Sequence, residues 1–175
     1  MAVVILLLAL PVAGVAQSPQ KWVQLPDLTT DGMDVNASNE YLLADDFLCT
    51  RTEPILQIYI WGSWKDDIGG DPPPTFTLSF HTDIPANESS TGYSMPSGPL
   101  WYRTFTPDEY IAQPYGGRVT EGWLDPPVTY TFPADTTCWL YRFSVPAAEA
   151  FYQKGTPDAP VVYWLDVKAS PGASG

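Results

Sequence analysis

The chain has 175 residues, of which 45% are hydrophobic, 14% aromatic and 16% charged, with 19 Pro and 13 Gly. That is the length of one globular domain. The composition excludes a coiled coil or long-helix bundle, which need far more Ala, Glu, Lys and Leu, and the aromatic and β-branched content excludes a disordered chain. Twenty acidic residues against eight basic ones give a net charge of −12 without any basic cluster, so nucleic acid and anionic membranes are repelled rather than bound.

Residues 1–16 (MAVVILLLALPVAGVA) form a charge-free apolar run ending in small residues. They read as a secretory signal peptide cleaved after Ala16, which directs the protein to the cell surface or the medium. The competing reading is a membrane anchor, but Pro11 interrupts the run, which falls short of the roughly 20 residues a spanning helix needs. No membrane insertion is expected after cleavage. Residues 17–169 then form the folded domain, and 170–175 (SPGASG) a linker or a truncated tail.

Along that domain, residues 21–25 are a short apolar segment and 27–39 are turn chemistry around Asp31-Gly32. Strand-like runs follow at 41–49, 55–61, 75–81, 100–106, 119–123, 128–132, 138–145 and 161–168, separated by loops at 69–74, 87–99 and 114–117. The clearest alternation places Phe76, Leu78 and Phe80 inside and Thr75, Thr77, Ser79 and His81 outside. The run 55–61 is apolar on both faces and predicts a strand covered on both sides. Residues 146–154 (PAAEAFYQK) open with Pro, continue through helix formers and stop at Gly155, so they predict one short helix near the C-terminus. Eight or nine short strands with turns between them predict an all-β, two-sheet β-sandwich of jelly-roll type. An up-and-down barrel is the alternative.

Two cysteines in an exported chain predict one disulfide, Cys49–Cys138. It would close a loop of about 90 residues, for which the chain-entropy model gives about 4–5 kcal/mol. An antiparallel pairing centred on that bond sets Phe47 opposite Leu140 and Asp45 opposite Arg142, which predicts a partly buried structural ion pair between Asp45 and Arg142.

The chemistry-bearing groups are sparse. Asp45-Asp46, Asp66-Asp67 and Asp108-Glu109 are adjacent carboxylates, and neighbours on a strand point to opposite faces, so they do not serve one site together. His81 is the only histidine and is expected as a solvated surface imidazole, not a catalytic base. No phosphate loop, metal-spaced His/Cys group or nucleophile elbow is present. No cofactor is expected, with calcium as the one candidate: Asp66, Asp67 and Asp71 surround Gly69-Gly70, and Asp27, Asp31 and Asp34 surround Gly32. Asp in such loops ordinarily forms turns. Seven Trp residues make aromatic recognition of a neutral ligand the sharper hypothesis. Tyr59, Trp61 and Trp64 occupy the end of a strand and the loop after it, and Trp101 starts another.

The set Asp31-Gly32-Met33-Asp34-Val35, Leu43-Ala44-Asp45-Asp46-Phe47, Trp61-Gly62-Ser63-Trp64, Asp83-Ile84-Pro85, Tyr93-Ser94-Met95-Pro96, Glu121-Gly122-Trp123, Gly155-Thr156-Pro157-Asp158 and Tyr163-Trp164-Leu165-Asp166 resembles a family of secreted bacterial β-rich domains of unknown function. The resemblance covers essentially the whole mature chain and implies a β-rich extracellular module, with no activity carried over. The expectation is therefore a non-catalytic structural or binding module for polysaccharide or other cell-surface components. A carbohydrate-active hydrolase using paired carboxylates is the alternative.

Overall fold

The computed structural model describes residues 22–38, 40–69 and 73–170. The expected leader and residues 171–175 of the tail lie outside the described residues. The elements in chain order are β1 (Met33–Val35), β2 (Leu43–Cys49), β3 (Glu53–Pro54), β4 (Gln57–Gly62), β5 (Thr75–Ile84) and β6 (Met95–Phe105). They continue as β7 (Tyr110–Pro114), β8 (Glu121–Asp125), β9 (Thr129–Asp135), β10 (Trp139–Ser144), β11 (Tyr152–Gln153) and β12 (Val161–Ser170). Among the described residues the only helical element is a 3-10 turn, Lys65–Asp67, so none is long and apolar enough to cross a membrane.

The largest sheet has the order β2-β12-β5-β6 and is antiparallel throughout. Its inner face follows the sequence alternation: Phe80 lies opposite Leu165, Leu78 opposite Val167 and Phe76 opposite Ala169. A second antiparallel sheet has the order β4-β10-β7. There Phe143 lies opposite Ile58 on one side and Tyr110 on the other. The inner faces of these two sheets fill one aromatic core. Phe143, fully buried, has its ring centroid 4.9 Å from Phe105 and 5.3 Å from Phe76, and Phe76 is 4.8 Å from Tyr141. Each such ring contributes about 1.5–3 kcal/mol by leaving water. A third sheet, β1-β8-β9, and a two-stranded β3-β11 ribbon complete the structure.

Several expectations are corrected. Residues 146–154 are not a helix. One turn forms, with the Glu149 N–H donating to the Pro146 carbonyl at 2.9 Å, and the chain then enters β11. A lone nine-residue helix is marginal without an apolar stripe to pack. Here the burial has period two instead, with Phe151 and Gln153 buried and Tyr152 exposed. Phe151 stacks on Phe80 at 4.7 Å, and its carbonyl accepts from the Ile55 N–H. The 55–61 run is also not a central strand: β4 is an edge and β10 the centre. Apolarity on both faces of β4 therefore has another cause, which lies in its outer side chains.

The expected cystine is absent, and both cysteines are buried free thiols. The strand carrying Cys49 pairs with β12, where Cys49 lies opposite Val161, whereas the strand after Cys138 pairs with β4 and β7. With β2 and β10 in different sheets, the register that would join Asp45 to Arg142 does not exist. Asp45 lies opposite Leu165 and accepts the Asp46 N–H, while Arg142 lies opposite Tyr59 and Ile111.

Candidate functional site

The third sheet gathers the acidic groups. In it β8 runs parallel to β1, with Asp34 opposite Trp123, and antiparallel to β9, with Glu121 opposite Asp135. A register irregularity between Glu121 and Trp123 sets the second pair. Before β1, the chain turns tightly, with the Gly32 N–H donating to the Thr29 carbonyl at 2.9 Å. A Cβ at residue 32 would sit 2.3 Å from the Asp27 carbonyl oxygen and 3.0 Å from Glu121 Oε1, so only glycine lets this turn close against Glu121.

As a result one carboxylate oxygen each from Asp34, Glu121 and Asp135 lies within 4.8 Å of the others. Glu121 is 4% exposed and Asp135 3%, with Asp34 half-buried. None of the described ion pairs involves any of the three. Both Asp135 oxygens, Asp34 Oδ2, Ser63 Oγ and Trp61 Nε1 are buried without a hydrogen-bond partner. Beside the cluster is a cavity of about 110 Å³ whose walls include Asp27, Asp34, Trp61, Glu121 and Cys138.

The electrostatics follow from that placement. Burial pushes the Glu121 carboxyl up to about 7, and the negative charges of Asp34, Asp135 and Asp27 add to the effect. Burial and then the Asp34 charge push Asp135 up to about 6, and burial raises Asp34 as well. The Cys138 thiol is pushed up to about 12, first by burial and then by Asp34 and Glu121. Asp125, also on β8, is the contrasting case. It accepts from the Trp123 indole N–H, the Lys65 ammonium and the Asn36 amide at 2.8–2.9 Å, and these donors hold it at about 2. Carboxylates on the same small sheet differ because Asp125 has three donors, whereas Glu121 and Asp135 are buried among like charges.

As a hydrolytic pair the cluster is poorly arranged. Glycosidase carboxylates stand about 5–5.5 Å or 6.5–9.5 Å apart across an accessible bond, whereas these are packed together beside a cavity too small for a sugar ring. The arrangement can share protons or hold a cation.

The aromatic candidates divide. Tyr59 and Trp61 point outward from β4. Tyr59 lies opposite Arg142, and Trp61 lies opposite Leu140. Across β10, Arg142 is opposite Ile111 and Leu140 opposite Gln113. Tyr59, Ile111, Gln113, Leu140 and Arg142 line a shallow depression on this outer face, and Trp61 meets Tyr115 edge-on at 5.7 Å. These outer side chains explain why β4 is apolar on both sides. Trp64 does not join them. Its indole N–H donates to the Tyr141 hydroxyl at 2.9 Å, and its ring fills the space a Cβ on Gly69 would need. Trp101 is on the other large sheet, its N–H donating to the Glu149 carbonyl at 2.7 Å and its ring 5.4 Å from Phe80. Both are structural.

The calcium candidates after β4 are occupied otherwise. Asp67 accepts the N–H groups of Thr136 and Thr137 at 3.1 and 3.0 Å, together with the Thr136 hydroxyl, and these bonds lower its carboxyl below the usual range. Asp66 is exposed in a left-handed conformation, and Asp71 lies outside the described residues. His81 is not solvated. It is buried with Ser79 and Asp166, its Nε2 lying 2.7 Å from Asp166 Oδ2 and 3.2 Å from Ser79 Oγ while Nδ1 meets the Ser97 carbonyl at 2.7 Å. Asp and Ser share one ring nitrogen, so this is no catalytic triad, in which His bridges the two through different nitrogens. Glu121 and Asp135 escaped the sequence pattern. The only signal was parity: Glu121 is two residues before Trp123 and so shares its inward face.

The fold and cluster define an all-β domain with a buried acidic site beneath one edge of an aromatic sheet face. The chain belongs to the family described as Domain of unknown function (DUF7901), which it matches over residues 20–174. No curated protein and no solved structure matches it.

Proposed function

We propose that this chain is a secreted, non-catalytic β-sandwich module that binds polysaccharide at the cell surface through the outer face of the β4-β10-β7 sheet. The two large sheets are its two layers. One observation carries the reading: Tyr59, Trp61, Leu140, Arg142, Ile111 and Gln113 stand in adjacent register on one outward side. Pyranose rings present apolar C–H faces that stack on such aromatic and aliphatic side chains, and the Arg142 fork and the Gln113 amide supply hydroxyl partners around them. A neutral ligand also suits a chain whose charge repels anions. The one cluster of three carboxylates found among the described residues is largely buried beside a small cavity, which favours binding over hydrolysis.

The test is a binding screen of the purified domain against soluble and insoluble polysaccharides. Tyr59→Ala and Arg142→Ala are expected to weaken binding at least tenfold with little change in melting temperature. Trp101→Ala, on the other sheet, destabilises the fold but leaves the affinity of the folded fraction alone. Binding that survives both face substitutions, or no binding to any polysaccharide, refutes the reading. So does glycan cleavage by the purified protein.

A further inference from the structure

We propose that Asp34, Glu121 and Asp135 are the ligands of a hard divalent cation of the calcium class, held between β1, β8 and β9 against the β4 wall. This site touches the edge of the aromatic face at Trp61, but its ligands stand on other strands and it does not depend on sugar binding there. Three strands deliver one oxygen each to a space within 4.8 Å. Two oxygens on one calcium ion, at 2.3–2.6 Å from it, lie at most about 4.6–5.2 Å apart. Three oxygens within 4.8 Å of one another lie no farther than about 2.8 Å from a common centre, so a calcium ion needs to draw each carboxylate inward by only a few tenths of an ångström. Magnesium, at 2.0–2.1 Å, demands a tighter, near-octahedral shell and keeps most of its waters, so a set of three protein carboxylates favours calcium.

A second observation points to a ligand. Asp135 is 3% exposed, yet neither of its oxygens makes a well-formed hydrogen bond, its polar neighbours being the Ser63 hydroxyl and the Asp34 carboxyl. Such atoms are rare in native interiors, and an uncompensated buried carboxylate is among the costliest. Non-acidic groups lie at the same place: the Trp61 indole N–H, unpartnered on the cavity wall, and the hydroxyl of Ser63, the residue after β4, which adjoins Asp34 and Asp135. An ion bound by the three carboxylates gives the Asp135 oxygens their partner. Ser63 Oγ would be a further oxygen ligand, and the cavity of about 110 Å³ has room for coordinating waters, to which the Trp61 N–H donates. No histidine belongs to the cluster, and an all-oxygen donor set selects hard cations over zinc or copper.

The experiment uses the whole chain, stripped with chelator and titrated with calcium chloride, with thermal melting as the readout. At a hundredfold excess over Kd the melting temperature should rise by about 5–10 °C. Terbium, a calcium surrogate, should luminesce on excitation of tryptophan because Trp61 adjoins the site, and calcium should quench that signal by competition. Asp135→Asn and Glu121→Gln should abolish the calcium-dependent rise, whereas Asp66→Asn, in the exposed turn, should keep it. If the acidic variants fail to fold, Trp61→Phe and Trp123→Phe decide: a several-fold loss of terbium luminescence in at least one of them places the ion between β4 and β8, and a signal undiminished in both overturns the assignment. The proposal is also overturned if calcium produces neither a melting shift nor terbium competition, or if the shift survives in Asp135→Asn or Glu121→Gln. A response to magnesium alone overturns the calcium class.

Discussion

Replacing Glu121 by Gln in cation-free protein tests the electrostatics of the third sheet directly. Glu121 has a folded value near 7 against an ordinary value of 4.5, because burial and three neighbouring carboxylates disfavour its charged form. A carboxyl raised on folding costs nothing below its unfolded value. The cost appears as the pH rises through that value and is complete above the folded one. Between pH 4.5 and 7 the folded chain holds the proton more tightly than the unfolded chain, so stability falls with rising pH. A shift from 4.5 to about 7, at 1.36 kcal/mol per unit, sets an upper figure of about 3.4 kcal/mol at pH 8. Water in the adjoining cavity screens the charge, which brings the expected penalty to about 1–3 kcal/mol. Glu121→Gln keeps the shape and removes the ionisation. In chelator it should match the parent protein at pH 4 and exceed it by about 1–3 kcal/mol at pH 8, read as the urea midpoint at constant m value. Parallel stability curves for the two proteins across pH 4–8 would refute the account of a buried, uncompensated carboxylate.

Three further outcomes follow from packing and hydrogen bonding. Phe143→Ala empties the centre of the ring cluster formed with Phe76, Phe105 and Tyr110 and should cost about 3–5 kcal/mol in urea unfolding. Asp166→Ala strands the buried His81 and Ser79 and should cost about 3–5 kcal/mol, with Asp166→Asn milder; equal costs for the two would argue against a charge-assisted contact. Gly155→Ala places a Cβ 2.3 Å from the Cys49 carbonyl oxygen at φ +155°, so it should lower stability by about 1–3 kcal/mol in a thermal melt, whereas Gly98→Ala, with open space around it, should not.

Local pattern decided much of this protein. The period-two alternation of Phe76, Leu78 and Phe80 fixes the inner face of β5 because a strand has no other way to bury three large side chains on one side. The all-β class follows from many such runs punctuated by Gly and Pro. The same local rules failed at 146–154, where Pro-first and Gly-last punctuation described a helix. Phe151 had a stacking partner in Phe80 and β11 had a ladder partner in β3, and both lie far away in sequence. The strand partners themselves were not legible. Alternation states which face of a strand is apolar but not which strand it meets, so the register drawn through Cys49 and Cys138 joined two strands that belong to different sheets. For the same reason Tyr59 and Trp61 were legible as ligand candidates at the end of a strand, while their neighbours Arg142, Leu140 and Ile111 became visible only once β10 lay between β4 and β7. The acidic cluster depended most on tertiary structure. Asp34, Glu121 and Asp135 are spread over about a hundred residues, each unremarkable in its own segment. Only a parallel β1, an irregular β8–β9 ladder and a glycine at residue 32 bring their charges together away from water.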